Sequence, residues 1–251
     1  MVLSGVSVVL LDIEGTTTPI TFVHDVLFPF ARIHLHPFLR DERHADVVDA
    51  AGRMLEAEHA ADVAQGLEPP SWVGERRGAI ARYAVWLMDR DRKSPGLKFL
   101  QGHIWEDGYQ AGELRGQVYA DVVPAIERWR AAGSRVAIYS SGSELAQRRL
   151  FESTRDGDLT RLFSGFFDTG VGPKVAAASY ARLAERLDAP PADVVFVSDV
   201  TAELAAARAA GVRVVLSVRE GNPPQPHAAE YDAISNFAEL DVVPRSGPIG
   251  Q

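Results

Sequence analysis

Apolar residues are concentrated in four short runs that predict buried β-strands, at residues 6–11, 135–139, 194–197 and 212–216. Each run is continuous rather than alternating, which is typical of a strand covered on both faces. Helical patterns at 125–132, 175–187 and 202–210 precede the last three runs. Strands that alternate with helices predict an α/β fold with a parallel, Rossmann-like sheet. A further short strand is predicted at 165–168.

The interval between the first two strands has a different pattern. Residues 17–116 contain no clear strand signal but have helical patterns at 22–39, 42–65 and 72–92, the first interrupted by Pro29 and Pro37. A crossover this long indicates an inserted domain. We therefore predict a catalytic core formed by residues 1–16 and 117–251, and an all-helical cap formed by residues 17–116.

Charge and composition restrict the possible partners. The chain of 251 residues has 26 Lys and Arg against 34 Asp and Glu, a formal net charge of −8. This charge disfavours nucleic acid as a partner, since nucleic acid selects a basic face. Because the overall electrostatic field of the protein is negative, a phosphorylated substrate would have to be held by positively charged side chains close to it. The absence of cysteine and of a long apolar segment predicts a cytoplasmic protein with no membrane partner.

Polar residues follow the ends of the predicted strands. Because the carboxyl ends of parallel strands meet at one edge of a sheet, these residues should converge there. Acids, hydroxyls and a lysine at one edge are the groups that move a phosphoryl group with the help of a hard cation. They are Asp12 and Glu14 after the first run, Ser140 and Ser141 after the second, Ser198 and Asp199 after the third, and Lys174 at the start of a helix.

Most of these residues also have a structural interpretation. Ser141 could cap the next helix, since residues 141–144 have the form of a capping box. Asp199 could be the N-cap of the helix that follows it, and Glu203 a solvated or salt-bridged carboxylate. Lys174 follows Pro173, a residue suited to the first turn of a helix, and a lysine at the positive end of a helix dipole needs a nearby anion.

Together, the residues resemble the motifs of the haloacid dehalogenase superfamily of phosphohydrolases. The segment 12–16 is similar to the first motif, Ser140 or Ser141 to the second, Lys174 to the third, and Ser198-Asp199 with Glu203 to the fourth. Glu14 departs from the pattern, because most members have a second aspartate there. A glutamate at this position resembles one branch of the superfamily, the enolase-phosphatases of methionine salvage. The similarity to that branch extends through residues 22–29, 100–105, 139–143 and 199–201.

The resemblance implies an activity and a set of roles. Members of that branch convert 2,3-diketo-5-methylthiopentyl-1-phosphate to an acireductone and phosphate. They use a single Mg²⁺ ion and are generally monomeric. Asp12 would then be the nucleophile, and Asp12, Asp199 and Glu14 would hold the metal, Glu14 through its side chain or its carbonyl. Ser140 or Ser141, with Lys174, would bind the phosphate, and Glu14 could also transfer protons.

Two other functions are compatible with parts of the pattern. One is a phosphatase of the same superfamily that acts on a sugar or nucleotide phosphate. The other is a signalling receiver module, which also combines acids, a hydroxyl and a lysine on a parallel sheet. Receivers are shorter, however, and their lysine comes late in the chain, whereas Lys174 precedes the last acidic motif.

Overall fold

A computed structural model of the protein describes residues 1–92 and 94–244. These residues form two compact units, Met1–Val23 with the chain from Arg115 onward, and His24–Leu114. In the described residues, all strands lie in the first unit. That the helical unit acts as a cap, and the boundaries after residues 16 and 116, stay predictions. Residues 245–251 of the predicted core lie outside the described residues.

The first unit is built on a parallel sheet, as the sequence predicted. The strands are β1 (Val2–Ser4), β2 (Val8–Leu11), β3 (Arg135–Tyr139), β4 (Gly165–Phe167), β5 (Val194–Ser198), β6 (Arg213–Ser217), β7 (Ala233–Ile234) and β8 (Asp241–Val243). Among the described residues, six of them form one sheet in the order β4-β3-β2-β5-β6-β7, with every pair parallel. Strands β1 and β8 form a separate parallel pair. The sequence did not predict β1, β7 or β8.

The helices agree with the sequence pattern in most places. They are α1 (Ile20–Phe22), α2 (Phe28–Arg40), α3 (Ala45–Ala64), α4 (Arg76–Met88), α5 (Pro95–Gln110), α6 (Val122–Ala131), α7 (Glu144–Glu152), α8 (Ala177–Arg186) and α9 (Thr201–Ala209), with a π-helical segment at Val23–Leu27. Pro29 lies in the first turn of α2, and Pro37 lies inside that helix. The sequence missed α5, whereas α7 is the helix expected after residues 141–144. It also placed the start of α8 two residues too early.

The sheet core is apolar and aromatic. Every residue of β2 and β5 is buried, which explains their continuous apolar sequence. Tyr180 of α8 packs edge-on against Tyr139 of β3, with ring centroids 5.6 Å apart, and lies 5.2 Å from Phe196 of β5. The two tyrosine hydroxyls donate to the carbonyls of Gly172 and Lys174 at 2.8 and 2.7 Å. The core therefore fixes the segment that carries Lys174.

The helical unit has its own core, in which α3 packs against α4 and α5. Buried Asp62 of α3 accepts hydrogen bonds from the hydroxyl of Tyr83 and from Arg92, both at 2.7 Å. In the described part of the chain, no helix has the length and apolar character that crossing a membrane requires.

Candidate active site

Asp12 lies at the carboxyl end of β2, in the middle of the sheet. Its backbone N–H donates to the carbonyl of Val197 at 3.0 Å, which extends the ladder between β2 and β5 by one residue. The chain then turns sharply, because the carbonyl of Ile13 accepts the N–H groups of Thr16, Thr17 and Thr18. The N–H of Ile13 donates to Asp12 Oδ1 at 2.8 Å. The strand and the turn together fix the carboxylate.

Lys174 is the buried cation of the site. Its Nζ lies 2.7 Å from Asp12 Oδ1 and 2.6 Å from Glu203 Oε2. Burial alone would lower the pKa of Lys174, but the charges of Asp12 and Glu203 outweigh it and raise that pKa to about 12. Lys174 lies in a turn before α8, not in its first turn. The predicted helix-dipole position is therefore wrong, and two carboxylates supply the anions.

Glu203 belongs to the site, a role that the sequence left open. It lies in the first turn of α9, is buried, and accepts a hydrogen bond from Ser198 Oγ at 2.9 Å. The same hydroxyl is 3.4 Å from Asp12 Oδ2, so Glu203 is its closer acceptor. Burial and the charge of Asp12 raise the pKa of Glu203. Glu203, Lys174 and Asp12 therefore form a compact charged network at the edge of the sheet.

Asp199 is buried, and the charge of Lys174 offsets only part of the cost of its ionisation. It is 5% exposed, and among the described residues its carboxylate has no hydrogen-bond or ion-pair partner. Its pKa is raised to about 7, first by burial and then by the charge of Asp12. The N-cap interpretation is wrong, because Val200 occupies that position of α9 and no side chain caps it. A cation beside Asp199 would remove this electrostatic cost.

The turn after Asp12 lies directly against Asp199. Gly15 has φ +65°, and a Cβ built on it would lie 2.5 Å from Asp199 Oδ2. Glu14 is half-buried in the same turn and pairs with Thr18 in an isolated parallel bridge. The structure therefore brings Asp12, Asp199, Lys174 and the turn that contains Glu14 to one edge of the sheet.

The serines after β3 lie beyond the strand next to β2. Ser140 is buried, and its N–H donates to the carbonyl of Phe167 at 3.1 Å. Its Oγ accepts from the N–H of Gly142 at 3.4 Å. The N-cap of α7 is Ser143, whose Oγ accepts from the N–H of Ala146 at 3.3 Å. The interpretation of Ser141 as the cap is therefore wrong by two residues.

The residues present fit a hard cation. No three His, Cys, Asp or Glu side chains form a metal-binding group in the described part of the chain. Mg²⁺ does not require such a group, since it is usually held by one or two carboxylates, with waters and substrate phosphate completing the shell. Asp12, Asp199 and Glu203 are buried beside a single ammonium, that of Lys174. The negative charge at Asp199, which has no ion-pair contact within residues 1–92 and 94–244, suits such an ion.

A loop that sequence reasoning missed also reaches the site. The carbonyl of Gly15 accepts hydrogen bonds from Ser217 Oγ at 3.2 Å and from Asn222 Nδ2 at 2.8 Å. Ser217 ends β6, directly after the predicted run 212–216. The rule that pointed to Asp12 and Asp199, polar residues after an apolar run, could therefore have pointed to Ser217.

Comparison with known proteins agrees with this geometry. The chain matches the haloacid dehalogenase-like hydrolase family over residues 6–211. It is 49% identical to the enolase-phosphatase E1 of Synechococcus elongatus, covering 94% of this chain and 98% of that protein. It is 41% identical to the protein of that name from Salmo salar, with 96% and 97% covered.

A solved structure gives a similar result. The UTR4 protein of Saccharomyces cerevisiae is 33% identical in sequence to this chain, and the two structures superpose with a TM-score of 0.73. The alignment covers 93% of this chain and 99% of the UTR4 chain. Membership of a hydrolase family makes the receiver-module alternative wrong. The chain belongs to the haloacid dehalogenase-like hydrolases and, within them, to the family of proteins named enolase-phosphatase E1.

Proposed function

We propose that the protein is an enolase-phosphatase that converts 2,3-diketo-5-methylthiopentyl-1-phosphate to the acireductone 1,2-dihydroxy-3-keto-5-methylthiopentene and phosphate. The observation that carries this proposal is the buried contact of 2.7 Å between Asp12 and Lys174, with Asp199 beside them at the end of the sheet. The names of relatives up to 49% identical support the choice of reaction.

The phosphatase half-reaction uses Asp12 as the nucleophile. Its carboxylate attacks phosphorus, the bond between phosphorus and the ester oxygen breaks, and an aspartyl-phosphate forms while the released oxygen takes up a proton and becomes a hydroxyl of the organic product. Water then hydrolyses this acyl phosphate and restores Asp12. Lys174 Nζ is 2.7 Å from the attacking group, so the ammonium can also pair with a phosphoryl oxygen on that carboxylate. Ser140 or Ser141 holds another non-bridging oxygen.

One Mg²⁺ ion per chain belongs to the proposal. Asp12, Asp199 and either the side chain or the carbonyl of Glu14 would hold it. When bound, the ion supplies the charge screening that lets a carboxylate approach a phosphate dianion. Glu14 lies two residues after Asp12 and is half-buried, which suits it to proton transfer in the phosphatase or the enolisation step.

The decisive experiment follows the two half-reactions separately. The diketone phosphate is supplied with Mg²⁺, and enol absorbance and phosphate release are recorded for the wild type and for Asp12→Asn. We expect phosphate release to fall at least about a thousandfold in Asp12→Asn, because the nucleophile is lost. Asp232→Asn, at an exposed carboxylate of the same unit, should behave as the wild type.

The same assay separates the proposal from its alternatives. Undiminished turnover by Asp12→Asn would contradict the covalent mechanism. Phosphate release from sugar or nucleotide phosphates, with the diketone phosphate inert, would instead indicate another phosphatase of the family. The monomeric state and the cytoplasmic location stay predictions.

A further inference from the structure

The loop after β6 holds the turn that follows Asp12. Two side chains of this loop, Ser217 and Asn222, donate to the same acceptor, the carbonyl of Gly15, at 3.2 and 2.8 Å. A third, Arg219, donates from Nε to the carbonyl of Thr16 at 3.2 Å. Two successive carbonyls of the turn are thus bound by side chains roughly two hundred residues later in the chain.

Arg219 makes this loop a rigid support. Its Nη1 donates to Asp121 Oδ2 at 2.8 Å and to the carbonyl of Ser235 at 3.0 Å. Its guanidinium lies 4.4 Å from the ring centre of Tyr119 and 4.6 Å from that of Phe237. A buried arginine with these contacts has little freedom to move. The loop is therefore anchored independently of the turn that it holds.

The position of the Gly15 peptide matters for two carboxylates. Gly15 lies three residues after Asp12, and the space where its Cβ would be is 2.5 Å from Asp199 Oδ2 and 2.9 Å from Asn222 Nδ2. Asn222 Oδ1 is buried and has no donor among the described residues. The side-chain hydrogen bonding of Asn222 in that part of the chain is therefore directed to Gly15 alone.

We propose that Asn222, assisted by Ser217, is a positioning residue for the phosphoryl transfer. By fixing the carbonyl of Gly15, Asn222 sets the turn that orients Asp12 toward phosphorus and keeps the backbone against Asp199. It does not touch the reacting atoms. This inference rests on the proposed function, because it assumes that Asp12 is the nucleophile.

The test compares Asn222→Ala with a matched control, Asn236→Ala. Asn236 Oδ1 accepts from the N–H of Ala238 at 2.7 Å, in the same unit but in a different turn. In Asn222→Ala, we expect kcat for phosphate release to fall by about tenfold to a hundredfold, while KM changes less than about threefold. A small misplacement of a reacting group slows the chemical step more than it weakens substrate binding. In Asn236→Ala, kcat should stay within about twofold of the wild type, since an exposed surface turn is far less sensitive.

Hydrogen exchange supplies a readout that does not depend on activity. Peptides covering residues 13–18 should exchange faster in Asn222→Ala than in the wild type, and at the wild-type rate in Asn236→Ala. An unchanged kcat together with unchanged exchange in Asn222→Ala would overturn the proposal. If the wild type itself releases no phosphate, the proposed function fails, and the exchange data alone then decide whether Asn222 holds the turn.

Ser217→Ala tests the same contact with a smaller change, should Asn222→Ala fail to fold. It removes only the hydroxyl that donates to Gly15 at 3.2 Å. In Ser217→Ala, we expect kcat to fall by about threefold to tenfold. In the double variant Ser217→Ala/Asn222→Ala, the fall in kcat should be smaller than the product of the two single effects, because both donors act on one carbonyl. A wild-type kcat for Ser217→Ala and multiplicative effects in the double variant would contradict a shared positioning role.

Discussion

The buried carboxylates of the site differ in what balances their charge. Asp12 and Glu203 share the ammonium of Lys174, at 2.7 and 2.6 Å. Asp199 has no such partner in the described part of the chain, and its pKa is raised to about 7. The carboxylate proposed to bind the metal ion is therefore one whose charged form is disfavoured by burial, and this can be tested through pH.

In the metal-free protein, the contribution of Asp199 to stability should fall as pH rises. Asp199 keeps its proton in the folded state up to about pH 7, whereas the unfolded chain releases it near 3.8. The folded state therefore binds more protons between these values, so the free energy of unfolding attributable to Asp199 should decrease from about pH 4 to about pH 7. Thermal unfolding in a chelator, for the wild type and for Asp199→Asn, measures the difference.

Magnesium should reverse this trend. The ion requires the ionised carboxylate, so the rise in Tm on adding Mg²⁺ should be larger at about pH 8 than at about pH 5.5. Asp199→Asn should show a flatter pH dependence and a smaller response to Mg²⁺ at both pH values. Identical pH profiles for the two proteins, with equal responses to Mg²⁺, would remove Asp199 from the metal site.

Gly15 should tolerate no side chain. Its positive φ strains any L-residue by about 1–2 kcal/mol, and the added Cβ would meet Asp199 Oδ2 at 2.5 Å. Gly157 is the matched control, since it has φ +87° but open space around its Cβ. We expect both Gly→Ala variants to lose stability in urea unfolding, and Gly15→Ala alone to lose most of its phosphate release. Comparable activity in the two variants would show that the close approach to Asp199 is unimportant.

A position directly after a strand is the feature of a site residue that the sequence alone can predict. Asp12, Ser140 and Asp199 directly follow three neighbouring strands, so convergence needed only the parallel sheet. Glu203 and Asn222 could not be predicted in this way. Their roles depend on how the turn of α9 and the loop after β6 fold back over the sheet edge, which is a matter of tertiary packing.

Helix boundaries separate the roles of the serines after β3. Ser143 caps α7 with a hydrogen bond of 3.3 Å to Ala146, whereas Ser140 lies at the end of the strand. Ser143→Ala should cost about 1 kcal/mol of unfolding free energy and leave KM unchanged. Ser140→Ala should instead raise KM or lower kcat with a smaller loss of stability. Denaturation and steady-state kinetics on both variants test this, and the reverse pattern would assign the phosphate contact to Ser143.

Helix α5 shows why composition can hide an element. It contains Gly96, Gly102 and Gly108, which lower helix propensity. Within the helical unit, a Cβ on Gly108 would lie 2.5 Å from the ring of Phe30, and one on Gly96 would lie 2.9 Å from Leu55. These glycines allow close helix packing and do not mark turns. Ser94, which caps the helix ahead of Pro95, was the signal that could have revealed it.

The short strands were hidden for a different reason. Strands β1, β7 and β8 have two or three residues each and lack fully buried patterns. Continuous apolar sequence marks only strands that are covered on both faces, as β2 and β5 are. The apolar pattern therefore predicts the central strands, which Asp12 and Asp199 directly follow, more reliably than the short strands at the periphery.

At the scale of the whole molecule, the net charge of −8 opposes the proposed anionic substrate. Repulsion between like charges slows diffusional encounter, and salt weakens it, because the Debye length falls from about 30 Å at about 0.01 M to about 8 Å at about 0.15 M ionic strength. The local attraction of Lys174 acts at close range inside a buried site, where screening by salt is weak.

These two effects predict the sign of the salt dependence. Over that range of ionic strength, with Mg²⁺ kept saturating, kcat/KM for phosphate release should rise by about twofold to fivefold, while kcat stays constant. A fall in kcat/KM with added salt would show that a local positive field around the site, and not the overall charge, governs encounter. Since Lys174 is buried, charge-reversal variants of the more exposed lysine and arginine residues would then locate that field.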